Sequence, residues 1–350
     1  MKKFLSLALA LTMALTLAAC GGKTDTPPAD TNDGSTAGQT GGKLVVYSAL
    51  NEDNTIAIAD QFKKDTGIEI EYISLGGGDA VARVQAEMAN PKADILVGGS
   101  VDLYGSLATA GAFEAYDSPN NDSLDARFND PNHFWQGWYM GVLSIIINEE
   151  RFQEELASQG LAEPATWDDL LDPRWNGQIV MTDPGSSGSI KYFVGALMNS
   201  PAYGTAYFER LRENGCMLES NSTATHLQVA HGTYAVGICM DYIVSNMEEA
   251  GEPISFRLPE RDTVPIYSPM GLVAGCPNER NGRLLYDYIL SKEGQTILTE
   301  HHLHSIRDDL GNTPDSIQTV LDSRLPVNEQ EISDTMEDVM DRFDRIFFQD

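Results

Sequence analysis

Short apolar runs alternate with segments of helical periodicity where the folded part of the chain opens. KLVVYSA from Lys43, IEIEYIS from Ile68 and ADILVGG from Ala93 are predicted strands. Helices are predicted over residues 51–67, 79–90 and 101–111, where apolar side chains recur every three or four positions. This unbroken β-α-β-α-β-α order favours an α/β fold, in which helices cover a mostly parallel sheet.

The same alternation returns later in the chain. MGVLSIIIN from Met140, the IVM and VGIC runs, and SPMGLVAGC from Ser268 are predicted strands. A Ser/Gly loop, DPGSSGS, precedes a predicted helix that ends near Asn199, and TWDDLLD from Thr166 predicts a short helix. The segment from Asn281 to His302 predicts one long amphipathic helix, and the chain shows no fixed-period repeat.

The first 42 residues have a different pattern. Lys2 and Lys3 precede an apolar stretch over residues 4–17, which indicates a signal peptide over residues 1–19. The following LAAC resembles the bacterial lipobox, so Cys20 is the expected site of lipid attachment. Residues 20–42 lack large apolar side chains and predict a flexible tether. We therefore expect an exported lipoprotein, anchored to the outer face of the cell membrane or periplasmic.

Charge, histidines and cysteines narrow the functional classes. The formal net charge of −29 makes nucleic acid a poor partner. The six histidines lie in no recognised catalytic motif, and the HHLH run from His301 is interpreted as incidental. Cys216, Cys239 and Cys276 allow at most one intramolecular disulfide, and we expect them to be buried apolar residues. These features favour a binding protein without a cofactor over an enzyme.

Several segments together carry a family resemblance. They are YSALNED, GGGDAVARVQAEMANPKADILVGGS, PATWDDLLDPRWNGQIVMTDPGSSGS, MDY and SKEGQTILTEHHLHSIRDD. Their order resembles the type II periplasmic solute-binding proteins of ABC importers, in the branch that holds ferric-iron, phosphonate, hexose-phosphate and thiamine binders. The resemblance covers about residues 43–325.

The resemblance implies a monomer with two α/β lobes that close on a small molecule and deliver it to an ABC permease. Lobe 1 is expected over residues 43–140 and 268–325, lobe 2 over residues 141–267, and a C-terminal helix over residues 326–350. Crossovers are expected near Gly141–Asn148 and Tyr267–Ala274. Trp138 and Tyr139 are expected in the cleft wall or in packing between the lobes.

Loops at the carboxyl ends of the predicted strands supply the candidate ligand-binding residues, because open α/β sheets bind ligands there. Most of these loops are rich in Gly and Ser and precede a helix, whose free N–H groups suit an anion. The candidates are Ser48, Asn51, Gly77, Gly78, Ser100, Ser186, Ser187, Ser189, Ser222, Thr223, Asp241 and Tyr242.

The ligand predicted from these loops is a small organic solute that carries phosphate or phosphonate. Asp241 either accepts hydrogen bonds from the ligand or caps the helix that follows it. The alternative ligand is ferric iron, because the iron binders of this family carry paired tyrosines at the position of Asp241 and Tyr242. Here Asp241 replaces the first tyrosine, so no metal site is predicted unless Tyr242 and Asp241 bind iron. A thiamine-type ligand is the second alternative.

The lipobox resemblance generates a test of anchoring. Cys20→Ser removes the thiol that would carry lipid, so the protein is expected to leave the membrane fraction. Ultracentrifugation of cell lysates followed by immunoblotting measures the partition. A Cys20→Ser protein that sediments with membranes as fully as wild type would contradict the prediction.

Overall fold

The computed structural model describes residues 43–49, 53–99, 101–307, 309–310 and 315–349. The signal peptide, the tether, Cys20, Asn51 and Ser100 lie outside the described residues. Within the described part, no helix is long and apolar enough to cross a membrane.

The strands lie in one sheet. In chain order they are β1 (Lys43–Ser48), β2 (Glu69–Ser74), β3 (Ile95–Val97), β4 (Gln136–Asn148), β5 (Ile179–Thr182), β6 (Met217–Glu219), β7 (Val236–Met240), β8 (Ile254–Arg257) and β9 (Val264–Leu272).

The helices follow the strands in nearly regular alternation. They are α1 (Asp53–Thr66), α2 (Gly77–Glu87), α3 (Val101–Thr109), α4 (Glu149–Arg151), α5 (Gly188–Asn199), α6 (Gly204–Glu213), α7 (Ser222–Ala230), α8 (Asp241–Glu249), α9 (Glu279–Leu290), α10 (Lys292–Glu300), α11 (Asp315–Asp322) and α12 (Glu329–Phe348).

The sheet contains two parallel groups that are joined by two long strands. Its order is β2-β1-β3-β9-β4-β7-β5-β6, and β8 also pairs with β4. The β1 strand is parallel to β2 and β3, and β5 is parallel to β6 and β7. The β4 and β9 strands run antiparallel to each other and to their outer neighbours.

Each long strand changes partners along its length. The β4 strand pairs with β9 over Gln136–Leu143 and with β7 over Leu143–Ile147. The β9 strand pairs with β4 up to Met270 and with β3 over Met270–Leu272. These two strands therefore connect the parallel groups, and they overlap the segments in which crossovers are expected.

Two large hydrophobic cores flank the connection. The first lies around β1, β3 and the start of β4 and includes Tyr47, Trp138 and Tyr286. The second lies around β5, β7 and the end of β4 and includes Trp167 and Phe193. We call the regions around these cores lobe 1 and lobe 2. A smaller apolar cluster, with Val229 and Val244, lies under α7 and α8 in lobe 2.

The C-terminal helix completes lobe 2. Ile332, Val339 and Phe343 of α12 are buried in its core. A Cβ atom on Gly195 of α5 would lie 2.7 Å from the Cε atom of Met336, so glycine allows the two helices to pack closely. Burial of each large apolar side chain contributes roughly 1.5–3 kcal/mol. The helix is therefore an integral part of this lobe.

One local prediction was wrong, and another was right in position but not in helix type. The helix predicted over residues 281–302 is interrupted at Ser291, which is extended and whose hydroxyl accepts a hydrogen bond from the Gly294 N–H group at 3.1 Å. A Cβ atom at Gly294 would clash with the backbone of α9, so glycine at this position allows α10 to begin this close to α9. The predicted TWDDLLD helix is present as a 3-10 helix over Trp167–Leu171, with Thr166 at its N-cap.

The close packing of Gly141 in β4 generates a stability test. An added Cβ atom would lie 2.5 Å from the Cε atom of Met240 and 2.9 Å from the ring of Tyr242. Gly141→Ala is therefore expected to lower the free energy of unfolding by roughly 1–3 kcal/mol. Thermal unfolding followed by circular dichroism measures the change.

Gly105→Ala is the matched control for this test. Gly105 lies within α3, and nothing stands within 4 Å of its added Cβ atom. Alanine in a helix interior is expected to stabilise by roughly 0.5–1 kcal/mol. A midpoint for Gly141→Ala at or above that of wild type would contradict the packing argument.

Candidate functional site

Three helices of lobe 2 begin at one edge of the sheet. The α5, α7 and α8 helices follow the carboxyl ends of β5, β6 and β7, and these strands are neighbours in the order β7-β5-β6. Their N-termini therefore lie side by side, where the first N–H groups of each helix lack partners within the helix. This is the edge at which the sequence predicts the ligand.

The Ser/Gly loop brings two of its serines into a cluster with Ser222. The Oγ atom of Ser187 lies 3.3 Å from that of Ser189 and 3.3 Å from that of Ser222. All three residues are half-buried, so their hydroxyls are accessible from one side. We call Ser187, Ser189 and Ser222 the serine cluster.

Ser186 lies outside the serine cluster. Its N–H and hydroxyl groups both donate to the carbonyl of Asp183, each at 2.9 Å, and its side chain is exposed. The Asp183 carboxylate also accepts the N–H of Gly185 at 2.8 Å. The structure therefore gives Ser186 a role in shaping the turn that presents its neighbours.

The N-terminus of α5 has no side-chain cap. Ser187 occupies the N-cap position, yet its hydroxyl caps none of the helix N–H groups. In α7, by contrast, the side chain of Asn221 accepts the N–H of Ala224 at 2.9 Å. The start of α5 thus offers uncapped N–H groups beside the serine cluster, and those groups favour an anion.

Buried groups hold α7 in place beneath the cluster. The hydroxyls of Thr182 and Thr225 are 2.7 Å apart and buried, which ties α7 to the end of β5. Burial lowers the pKa of His226 to about 4, so this histidine is neutral at pH 7 and supplies no charge. Thr223 is exposed. Attraction for an anion here therefore depends on hydroxyls and N–H groups.

Asp241 is buried, and both of its carboxylate oxygens have protein partners. Oδ1 accepts the N–H groups of Val142 at 2.9 Å and of Tyr242 at 2.8 Å. Oδ2 lies 2.6 Å from the Nε2 atom of His304. The N-cap of α8 is Met240, so Asp241 does not cap that helix from the N-cap position. Its contacts do not support the predicted ligand role, which stays a prediction.

Tyr242 lies between the lobes, next to Tyr139 of β4. Their ring centroids are 6.1 Å apart and the rings are nearly perpendicular. Burial raises the pKa of Tyr139 to about 12 and that of Tyr242 well above its ordinary value. Both phenols are therefore neutral at pH 7, and each can donate a hydrogen bond. Trp138 is buried in the lobe 1 core, where its Nε1–H donates to Ser268 at 3.1 Å.

The lobe 1 candidates lie at equivalent strand ends. Ser48 is buried at the end of β1, and its carbonyl accepts the N–H of Leu75 at 2.9 Å. Gly77 and Gly78 begin α2, whose N-cap residue, Gly76, provides no side-chain cap. Nothing stands within 4 Å of a Cβ atom built on Gly78, so the backbone is open to a ligand.

A preformed metal centre is missing from the part of the chain that the structure describes. No group of three or more His, Cys, Asp or Glu side chains there could hold a metal ion. The three described cysteines, Cys216, Cys239 and Cys276, are free and buried, as expected of small apolar residues. Iron binding would therefore depend on Tyr242 and on Asp241, whose carboxylate oxygens already have protein partners.

One residue of this region was misjudged from the sequence. His304 was interpreted as incidental, yet its imidazole contacts Asp241 at the junction of the lobes. Its partner is 63 residues away in the chain, and no local pattern connects them. The recurrence of histidine in HHLH was the available signal.

The comparisons with known proteins agree with this two-lobed arrangement. The family described as "Bacterial extracellular solute-binding protein" matches residues 90–315. The chain belongs to this family. An uncharacterized protein of Haemophilus influenzae is 31% identical over 271 residues, which are 73% of this chain and 75% of that protein.

Another relative of this solute-binding protein has a named ligand. The "Putative 2-aminoethylphosphonate-binding periplasmic protein" of Salmonella typhimurium is 28% identical over 250 residues, 69% of this chain and 70% of the relative.

Solved structures confirm the predicted fold. AfuA of Actinobacillus pleuropneumoniae, solved with fructose-6-phosphate, matches with a TM-score of 0.72 and 26% identity over 88% of this chain and 99% of AfuA. Iron-bound HitA of Pseudomonas aeruginosa matches with a TM-score of 0.73 and 18% identity over 87% of this chain and 99% of HitA. This solute-binding protein therefore has the two-lobed periplasmic-binding-protein fold.

Proposed function

We propose that this protein is the substrate-binding component of an ABC importer for a small organic solute that carries phosphate or phosphonate. The solute binds between the lobes and is delivered to a membrane permease. Lipid at Cys20 anchors the protein to the outer face of the cell membrane, and residues 20–42 act as its tether. The protein acts as a monomer and performs no chemistry on its ligand.

The observation that carries this proposal is the serine cluster beside the uncapped start of α5. A tetrahedral phosphorus oxyanion presents several acceptor oxygens, and each serine hydroxyl can donate one hydrogen bond. The free N–H groups and the positive end of the helix dipole add to this attraction. The hydrogen bonds between these hydroxyls are long, at 3.3 Å, and therefore weak. The hydroxyls can rotate away from one another and donate to such an oxyanion.

The strong overall acidity of the chain does not oppose an anionic ligand at this position. Exposed charges are screened beyond about 8 Å at physiological salt, whereas the serine hydroxyls contact the ligand directly. Fructose-6-phosphate in AfuA and the 2-aminoethylphosphonate named for the Salmonella relative share the phosphorus oxyanion. They support this ligand class.

Both lobes contribute to the proposed site. Ser187, Ser189 and Ser222 hold the oxyanion, Thr223 lines its exposed rim, and Ser186 shapes the turn that presents Ser187 without touching the ligand. Tyr242 offers its hydroxyl to the rest of the solute. From lobe 1, the strand-end residues close over the ligand. They are Ser48, Asn51, Gly77, Gly78 and Ser100.

Removal of the central hydroxyl tests the proposal. Ser187→Ala deletes one charge-assisted hydrogen bond, which contributes roughly 1.5–3 kcal/mol. Affinity is therefore expected to fall roughly ten- to a hundred-fold. Ser187→Asp is expected to bind more weakly still, because it places like charge against the oxyanion. Isothermal titration with 2-aminoethylphosphonate and with hexose 6-phosphates measures the change.

Ser186→Ala is the matched control for this titration. It removes a neighbouring hydroxyl that donates to the carbonyl of Asp183, so its affinity is expected to stay close to that of wild type. Equal affinities of wild type and Ser187→Ala for a compound that binds would contradict the serine cluster as the oxyanion site.

Ferric iron is the second candidate ligand, and the proximity of Tyr139 and Tyr242 favours it. Two phenol groups from the crossover strand and from α8 lie close together at the junction of the lobes. Fe(III) prefers phenolate and carboxylate oxygens. Burial opposes loss of the phenol protons, so iron would have to displace them on binding.

Tyr242→Phe distinguishes this candidate from the first. If iron is the ligand, chelated Fe(III) is expected to give wild type a visible ferric–phenolate colour that Tyr242→Phe abolishes. Tyr267→Phe, which removes the hydroxyl of another half-buried tyrosine, is the control and is expected to keep the colour. Visible absorption spectra measure it. Iron would replace the first candidate if wild type binds no phosphorylated compound and turns coloured with Fe(III), and if Tyr242→Phe loses that colour.

A further inference from the structure

Two histidines of the HHLH segment contact carboxylates at opposite ends of α8. His304 lies 2.6 Å from Asp241, the first residue of the helix, and His302 lies 3.0 Å from Glu249, the last. These acids are eight residues apart, which corresponds to about 12 Å along the helix axis. We call the two pairs the histidine clamp.

The clamp joins the two lobes. The segment that carries the histidines follows α10, and its apolar residues Leu303 and Ile306 are buried in the core of lobe 1. The α8 helix belongs to lobe 2 and packs against β4, β7 and β8. Any rotation of one lobe against the other would therefore change the distances within these pairs.

The inner pair lies where β4 changes partners. On one side, Met140 exchanges two backbone hydrogen bonds of 2.9 Å with His304. On the other, β4 pairs with β7 from Leu143 onward. The Val142 N–H between these ladders donates to the Asp241 carboxylate. Asp241 thus bridges the gap between the ladders, and the His304 imidazole bonds its second oxygen.

The pair also positions the first turn of α8. The carboxylate oxygen that accepts the Val142 N–H also accepts the N–H of Tyr242. The Tyr242 ring in turn packs against Gly141, where an added Cβ atom would lie 2.9 Å away. Since the Asp241 carboxylate only accepts hydrogen bonds, the Nε2–H of His304 donates to it. His304 is therefore a positioning residue for Tyr242.

The backbone at His302 supports a specific use for its side chain. Its φ angle is +63°, a left-handed conformation that glycine usually supplies just after a helix. A histidine here adopts a less favourable backbone conformation, and its imidazole reaches Glu249. The outer pair, His302–Glu249, is exposed and contributes little free energy of stabilisation by itself. The inner pair, His304–Asp241, is largely buried.

We propose that the histidine clamp, and above all the His304–Asp241 pair, fixes the angle between the lobes at the hinge and so sets the range of conformations that the ligand-free protein samples. The proposal rests on the two-lobed fold and is independent of the ligand. It also explains why an acid at this strand end is buried instead of open to the cleft.

Distances between the lobes test the proposal. Nitroxide labels on Lys64→Cys in lobe 1 and Glu213→Cys in lobe 2 report the interlobe distance by pulsed electron resonance in the ligand-free, full-length protein in detergent. Both positions are exposed, and the described native cysteines are buried. His304→Leu, which cannot donate to Asp241, is expected to broaden the distance distribution. His304→Gln, which keeps an N–H donor, is expected to restore a distribution near that of wild type.

Two further variants keep the test decisive. Glu249→Gln weakens only the exposed pair and is expected to change the distribution little. Asp241→Ala removes the carboxylate that bonds His304, is expected to broaden the distribution, and serves if His304→Leu does not fold. An unchanged distribution in His304→Leu, or in Asp241→Ala in its place, would overturn the proposal even if the unfolding temperature falls. So would equal broadening in His304→Gln and His304→Leu.

Discussion

The pairing of β4 with β9 is the constraint on which the rest of this structure depends. These are the two long strands that belong to both lobes, and each must keep its backbone groups hydrogen-bonded while it changes partners. On the side of β4 away from β9, Met140 bonds the backbone of His304 and pairing with β7 begins at Leu143, so the backbone between these two residues has no neighbouring strand there. The Asp241 carboxylate lies at this position. It accepts the N–H group of Val142, which the carbonyl of a neighbouring strand would accept elsewhere in the sheet.

This arrangement separates two tasks at the edge of lobe 2. The end of β7 bears the connection between the lobes, with Asp241 buried and His304 bonded to it. The ends of β5 and β6 carry the serine cluster and the uncapped start of α5, which remain accessible. Adjacent strand ends thus combine a buried junction between the lobes with a half-buried polar surface.

Much of the fold could be predicted from the sequence because its signals are local. The parallel strands and the helices after them follow from apolar runs, helical periodicity and Gly or Ser loops, and the structure has them where they were expected. Prediction was wrong where a capping residue interrupts the helical periodicity. The apolar pattern continues past Ser291, yet Ser291 is extended and caps α10, and the lack of a side chain at Gly294 lets α10 lie close to α9.

The candidate site likewise has a part that could be predicted from the sequence and a part that could not. The sequence by itself determined which residues stand at the strand ends, because within each parallel group the loops that follow the strands all leave from the same edge. Only the tertiary structure decided which of them share a surface. Ser187 and Ser222 meet because β5 and β6 are neighbours, while Ser186 turns back onto Asp183. The partner of Asp241 lies 63 residues along the chain, and contacts at such a separation depend on how whole lobes pack and leave no local pattern in the sequence.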